Sequence, residues 1–172
     1  ATVVATFRRE TGYPSLSDQR ELVVREEFAR LIQPEVLSVI DPSDIRRIYS
    51  SQRYGFTGPM AGLKAFLRDA TSAEYDRLLE SLHFLLWGDG EDAARIDELL
   101  EGERRIPGLG ESVMVKLLAL AHPDEWVPIF PAKGAMGKIH MLELLDLEEP
   151  HGTRGEVQVA SNRAIYRRLN RY

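Results

Sequence analysis

Cysteine is absent from the 172 residues of this sequence. Its absence excludes disulfide bonds, thiolate metal sites and cysteine nucleophiles, and it is consistent with a reducing cytoplasm, where we expect the protein to reside. Apolar runs long enough to span a bilayer as a helix are absent too, so we expect no membrane partner. No phosphate-binding loop of the form Gly-x4-Gly-Lys-Ser/Thr occurs, so an ATPase motor would have to lie in another domain.

Histidine is scarce, and the spacing of the four histidines (His83, His122, His140 and His151) does not match that of metal ligands. His83 falls within the most apolar predicted helix, so we predict a hydrogen-bonded core histidine. His122 precedes a proline and is predicted to end a helix, where a histidine is favourable. Ser112 has no assignable histidine and aspartate partners. We therefore predict no metal site, no cofactor and no catalytic residue.

Net charge is −5, which argues against a protein coated in nucleic acid but leaves room for a local basic face. Residues 151–172 carry five arginines against a single glutamate. Arg163, Arg167 and Arg171 follow one another at four-residue spacing and would share one face of a helix. The alternative is a solvated face that balances the acidic segment 89–103.

Strict polar–apolar alternation is missing beyond a few residues, whereas apolar residues recur at helical spacing throughout. Helix start signals or apolar periodicity place helices from Asp18, Asp41, residue 60, Thr71, Asp89 or Asp92, and residues 111, 133 and 156. We predict an all-α domain of seven or eight helices, with a possible division into lobes 1–70 and 71–172. The abrupt start, Ala-Thr-Val-Val, suggests a fragment of a longer protein. Both tryptophans are predicted to pack in the core, and Tyr54 and Phe56 to be exposed in a loop.

Two closely spaced glycines precede the predicted helix at 111. Such glycines can adopt positive φ and let another backbone approach, and the free N–H groups that open a helix can meet an anion. The predicted phosphate-binding residues are Gly108, Leu109, Gly110 and Ser112, with Arg104, Arg105, Arg163, Arg167 and Arg171 adding salt-dependent attraction. The alternative is a tight corner between two helices that binds nothing.

The segment Ile106-Pro-Gly-Leu-Gly, followed by Val113, Leu117 and Leu118, resembles a helix–hairpin–helix motif. The resemblance implies backbone N–H groups presented to one DNA phosphate without reading sequence. Glu111 departs from the expected pattern, because its carboxylate lies where the phosphate would approach.

Downstream, Val127-Pro128-Ile129-Phe130 resembles the stretch that precedes the catalytic aspartate in DNA glycosylases of the helix–hairpin–helix class. Pro131 stands where that aspartate would be, and Asp124 comes too early. The missing carboxylate disfavours a glycosylase. A degenerate glycosylase-like enzyme that uses some other carboxylate remains a further alternative.

A wider resemblance covers most of the chain, from Phe28 to Tyr172. Several short segments are similar to an uncharacterised helical region of McrB-type restriction and other defence proteins, often found beside an AAA+ motor. The matching positions are Leu85-Leu86-Trp87-Gly88, Gly108-Leu109-Gly110, His122-Pro123, Val127-Pro128, and Gly155 to Asn162. The resemblance implies a role in DNA handling, with the motor or nuclease in another domain.

Together these patterns predict a non-catalytic nucleic-acid-binding module of a DNA-acting or restriction protein. Its expected partners are DNA and a motor or nuclease domain. A protein-interaction or regulatory helical domain, in which the glycines form only a corner, is the alternative from a different class.

Overall fold

The computed structural model describes residues 6, 9–50, 54, 55, 57 and 61–170. These ranges contain no β-strand, and nine helices can be bounded within them besides a helical turn at 9–11. The helices are α1 (Leu16–Leu31), α2 (Pro34–Leu37), α3 (Pro42–Ser50), α4 (Ala61–Asp69), α5 (Ser72–Trp87), α6 (Asp92–Glu101), α7 (Glu111–Ala121), α8 (Lys138–Leu144) and α9 (Arg154–Leu169). The prediction of an all-α fold is confirmed.

Capping boxes open three of these helices. The one predicted at Thr71 is confirmed: the Glu74 amide donates to Thr71 Oγ1 over 3.3 Å, and the Thr71 amide donates to Glu74 Oε2 over 2.8 Å. The prediction for α1 was wrong by three residues, because Ser15 is the cap and Asp18 is its reciprocal partner. Thr153 caps α9 in the same way, so this helix begins at Arg154, two residues before the predicted start.

Two other boundaries also differ from the prediction. Pro34 does not simply end a helix, since it is the first residue of the one-turn helix α2. The helix predicted from residue 133 begins only at Lys138, because Gly134 adopts a φ of +89° and residues 133–137 form turns.

The main core surrounds α7, in which every residue from Val113 to Leu120 is buried. Helices α1, α5 and α6 pack directly on it. Buried residues from both sides of position 70 belong to this one core, including Phe28 and Ile48 before it and Leu82 and Ile96 after it.

Helix α9 lies against α6, and α8 packs on α9. The approach to α6 is close at Gly155, where an added Cβ would overlap the carbonyl of Ala93. A second, smaller core joins Val127, Leu142 and Ile165 at the outer side of α9. In the described ranges, no helix combines the length and the apolar composition needed to cross a membrane.

Candidate nucleic-acid interface

Residues 106–112, named here the glycine turn, comprise the last part of the connection from α6 and the first two residues of α7. Ile106 and Leu109 are buried in the main core, whereas Pro107, Gly108 and Gly110 between and after them are exposed. The Leu109 amide donates to the Ile106 carbonyl over 3.1 Å. Two apolar anchors therefore hold a short exposed backbone segment in a fixed position.

Gly108 is required by packing. Its φ is +78°, and a Cβ at this position would overlap backbone atoms of Gly62 and Leu63 in α4. A side chain is excluded on both counts. Gly108 therefore provides a close contact between two backbones. This is the role expected if the glycine turn is a tight corner between two helices.

Gly110 is different, because it faces open space. Its φ is −92°, no atom lies within 4 Å of the place that a Cβ would take, and no side chain of the described residues caps the helix that it precedes. Its carbonyl accepts from the amides of Val113 (3.0 Å) and Met114 (3.2 Å). Among the described residues, no side chain accepts from the N–H groups of Glu111 and Ser112. Free N–H groups at the start of a helix are the condition for anion binding there.

Arg154 is a neighbour of this helix start that the pattern of arginines did not single out. Its Nε lies 3.2 Å from Oε2 of Glu111, and its side chain is 55% exposed. Arg154 is the first residue of α9, so folding brings it to the start of α7 across 43 positions of sequence. The carboxylate that would repel a phosphate is thus paired with a solvent-accessible guanidinium.

Arg104 and Arg105, which precede the glycine turn, lie in different surroundings. The Arg104 guanidinium lies 4.6 Å from the centre of the Phe84 ring on α5. It lines a concavity of about 700 Å³ together with Asp76, Glu80 and His83. Arg105 is exposed beside the anchor Ile106. Arg104 is therefore engaged in an acidic surface, whereas Arg105 stays next to the glycine turn.

The arginines late in α9 lie at the other end of α6. Arg163 approaches Glu91, the residue that precedes α6, at 3.6 Å, whereas the glycine turn follows the end of that helix. Ten helical residues separate these ends by about 15 Å. Arg167 lines a concavity of about 210 Å³ with Arg163 and Trp126. The structure thus does not bring Arg163 and Arg167 to the glycine turn, and Arg171 lies outside the described residues.

Two expectations about single residues were wrong. His83 is exposed on α5, because it falls on the outer side of the helix with the exposed Asp76 and Glu80. Tyr54 is half-buried, with its ring centre 5.9 Å from that of Phe130 and its hydroxyl donating to the Ala119 carbonyl over 3.3 Å. Phe56 lies outside the described residues. His122 caps α7 as predicted, and its Nε2 lies 2.9 Å from the Leu86 carbonyl oxygen.

Asn162 fixes the extended segment that follows α7. Its Oδ1 accepts from the Val127 amide over 2.9 Å, and its Nδ2 donates to the Glu125 carbonyl over 2.7 Å. Trp126 between them is buried, as the sequence predicted. One buried side chain on α9 therefore satisfies the backbone on both sides of this tryptophan.

Replacing Asn162 with alanine is expected to cost about 2–3 kcal/mol of unfolding free energy. The change leaves a buried amide and a carbonyl without partners and opens a small cavity. Urea titration followed by circular dichroism would measure the loss. Arg163→Ala, one position along and exposed, is the matched control and should change stability by less than about 0.5 kcal/mol.

Two fully buried lysines were missed by the sequence analysis. Lys116 lies in the middle of α7, and Lys138 is the first residue of α8. Burial lowers the pKa of Lys116 to about 8 and that of Lys138 to about 7, partly opposed by Glu21 and Glu111 respectively. Lys116 stands in an apolar run, where helical periodicity predicts that a single lysine faces outward. Lys138 directly follows the turns at 133–137, where no periodicity applies.

The described residues contain no group of three or more histidine, aspartate or glutamate side chains placed to hold a metal ion. Comparisons with protein-family models, with curated proteins and with solved structures found nothing that matches this chain.

Proposed function

We propose that this chain is a non-catalytic module that contacts a nucleic-acid phosphate, without reading sequence, through the start of α7. The observation that carries the proposal is the uncapped first turn, exposed at Gly110 and half-buried at Glu111 and Ser112, which the buried anchors Ile106 and Leu109 hold in place. Backbone N–H groups there, together with the helix dipole, favour an anion. Arg105 and Arg154 supply accessible positive charge beside it.

Glu111 sets the strength of this contact. Its carboxylate lies in the first helical turn and already occupies Arg154. An incoming phosphate has to displace the carboxylate from the guanidinium, so the affinity of the site is low and strongly dependent on salt. Such weak binding suits a module that serves a larger DNA-acting or restriction protein, in which a motor or nuclease domain provides the main activity.

Two substitutions at residue 111 distinguish the contribution of its backbone N–H group to DNA binding from that of its carboxylate. Glu111→Gln removes the charge and keeps the N–H group, so it should bind DNA about two- to fivefold more tightly than the unmodified chain at low salt. Glu111→Pro removes both. Proline suits the first position of a helix, and the extended backbone of Gly110 accommodates a following proline. We expect Glu111→Pro to bind about threefold or more weakly than Glu111→Gln.

Fluorescence anisotropy of labelled duplex and single-stranded DNA, at about 50 and 200 mM salt, would measure these affinities. Urea titration of each variant checks that the fold is retained. Equal affinities of Glu111→Gln and Glu111→Pro would exclude the amide as the phosphate contact. A chain that binds neither form of DNA at the lower salt concentration would exclude the nucleic-acid proposal and leave the glycine turn as a packing corner.

A further inference from the structure

Lys138 joins three parts of the fold at one buried point. It is the first residue of α8, and its side chain is fully buried. Its Nζ donates to Oε1 of Gln158 on α9 over 2.8 Å and lies 4.9 Å from the centre of the Trp126 ring. The amine therefore touches α9 and the extended segment after α7 while belonging to α8.

The charged groups around this amine give it little compensation. No carboxylate of the described residues lies within salt-bridge distance of Lys138. Glu111 on α7 is the acidic group that raises the pKa of the Lys138 amine, and Glu111 is itself paired with Arg154 of α9. On the α6 side, Asp92 accepts from Trp126 Nε1 and is paired with Arg95. The protonated amine is consequently less favourable in the docked helix than it is in water.

The amide of Gln158 is also incompletely satisfied. Its Nε2 is buried and has no hydrogen-bond partner among the described residues. A neutral Lys138 can still donate to Gln158 Oε1, so the bond does not require the charge. The packing around α8 thus accepts the neutral amine, whereas the ammonium loses its hydration and gains in return the face of the Trp126 ring.

Besides Lys138, helix α8 is held by the small core, to which its partly buried Ile139 and Met141 also contribute. Its two buried residues are Lys138 and Leu142, and Leu142 belongs to the small core with Val127 and Ile165. Helix α8 contributes no residue to the main core of the described chain. A helix that is attached through one small apolar cluster and one buried amine can open without unfolding the rest of the protein.

We propose that Lys138 is a proton-operated latch, in which uptake of a proton by its buried amine loosens α8 from α9 while the main core stays folded. The docked helix favours the neutral amine, and the undocked helix exposes the amine to water, where it holds a proton at ordinary pH. Lower pH therefore favours the undocked state. This inference does not rest on the nucleic-acid proposal, although Glu111 at the start of α7 is also the acidic group that acts on Lys138.

The expected dependence on pH follows from the two states of the amine. Between about pH 9.5 and 7.5 the opening constant of α8 should rise roughly tenfold for each unit of acidification, and below about pH 6.5 it should level off, because both states are then protonated. Burial that lowers the pKa of Lys138 to about 7 sets the position of the plateau.

Thiol labelling can measure this opening, since the chain contains no cysteine of its own. Leu142→Cys places a single reactive group on the buried side of α8, and Leu82→Cys places one in the main core on α5. Dividing each labelling rate by that of a free thiol at the same pH gives the opening constant. We expect Leu142→Cys to label faster than Leu82→Cys, with the stated pH dependence.

Two variants in the Leu142→Cys background assign the effect to one amine. Lys138→Met should give a small opening constant that does not change with pH. Lys133→Met, which removes an exposed lysine five residues earlier, should give the same opening constant and pH dependence as Leu142→Cys alone. The proposal is overturned if Leu142→Cys labels no faster than Leu82→Cys, or if the pH dependence persists in Lys138→Met. If Lys138→Met does not fold, the pH dependence at Leu142→Cys decides, and an opening constant that does not rise on acidification overturns the proposal.

Discussion

Alanine in place of Gly108 is expected to lower the unfolding free energy by about 3–5 kcal/mol, enough to unfold most of a marginally stable domain. Two costs combine. The φ of +78° is strained for any residue with a Cβ, and the new methyl group would overlap backbone atoms of Gly62 and Leu63. Because the clash is with main chain, no side-chain rotation relieves it, so α4 and the glycine turn must move apart.

Gly110→Ala is the matched control, two residues away. Gly110 has a negative φ and nothing within 4 Å of a built Cβ, so the cost should stay at or below about 1 kcal/mol, mainly from the poorer helix cap. Urea titrations of both variants measure the difference. Similar losses at the two positions would contradict the contact between the glycine turn and α4.

Stability should rise when the pH is increased from about 7 to 9.5, in contrast to the usual maximum between pH 5 and 8. The pKa of Lys138 is lowered to about 7 and that of Lys116 to about 8 by burial, whereas both are near 10.5 in the unfolded chain. The unfolded state therefore binds more protons in this range, and the unfolding free energy increases with pH. Together the two lysines give an expected gain on the order of 5 kcal/mol.

Above about pH 10 the sign reverses. Burial raises the pKa of Tyr49 and Tyr54, and that of Tyr75 to about 12, so the unfolded chain loses these protons first. The folded state then binds more protons, and stability falls. Urea titrations from pH 6.5 to 11 would reveal the maximum near pH 10. Lys138→Met should flatten the rise, and a rise of unchanged slope in that variant would refute the assignment.

Local signals in the sequence predicted most helix boundaries, because caps and breakers act over a few residues. The start at Thr71, the stop at Gly102 and the start of α7 after Gly110 all follow from such signals. The late start of α8 was not foreseen, because the positive φ of Gly134 depends on the packing of residues 133–137. The start of α9 was placed late because Gly152 and Gly155 read as a loop, whereas Gly155 lies inside the helix to permit its approach to α6.

Contacts between residues far apart in the sequence could not be predicted from its local patterns. Gly108 was interpreted as a phosphate ligand because nothing in the sequence reveals that Gly62 lies opposite it. The pairing of Arg154 with Glu111, and the distance from the glycine turn to Arg163 and Arg167, depend on how α9 crosses α6. Lys138 and Gln158 escaped notice, and Asn162 was noted only as a matching position, for a related reason: polar residues are assigned to the surface unless their buried partners are known.

The order of these partners along the chain has a consequence for synthesis on the ribosome. The Val127 amide, the Glu125 carbonyl and the Lys138 amine all depend on side chains of α9, which are translated 20 to 37 residues later. Until α9 has emerged, the segment around Trp126 and the whole of α8 lack their supporting surface. A nascent chain stalled before residue 155 would therefore expose this apolar segment to chaperones and proteases, even with the core around α7 already assembled.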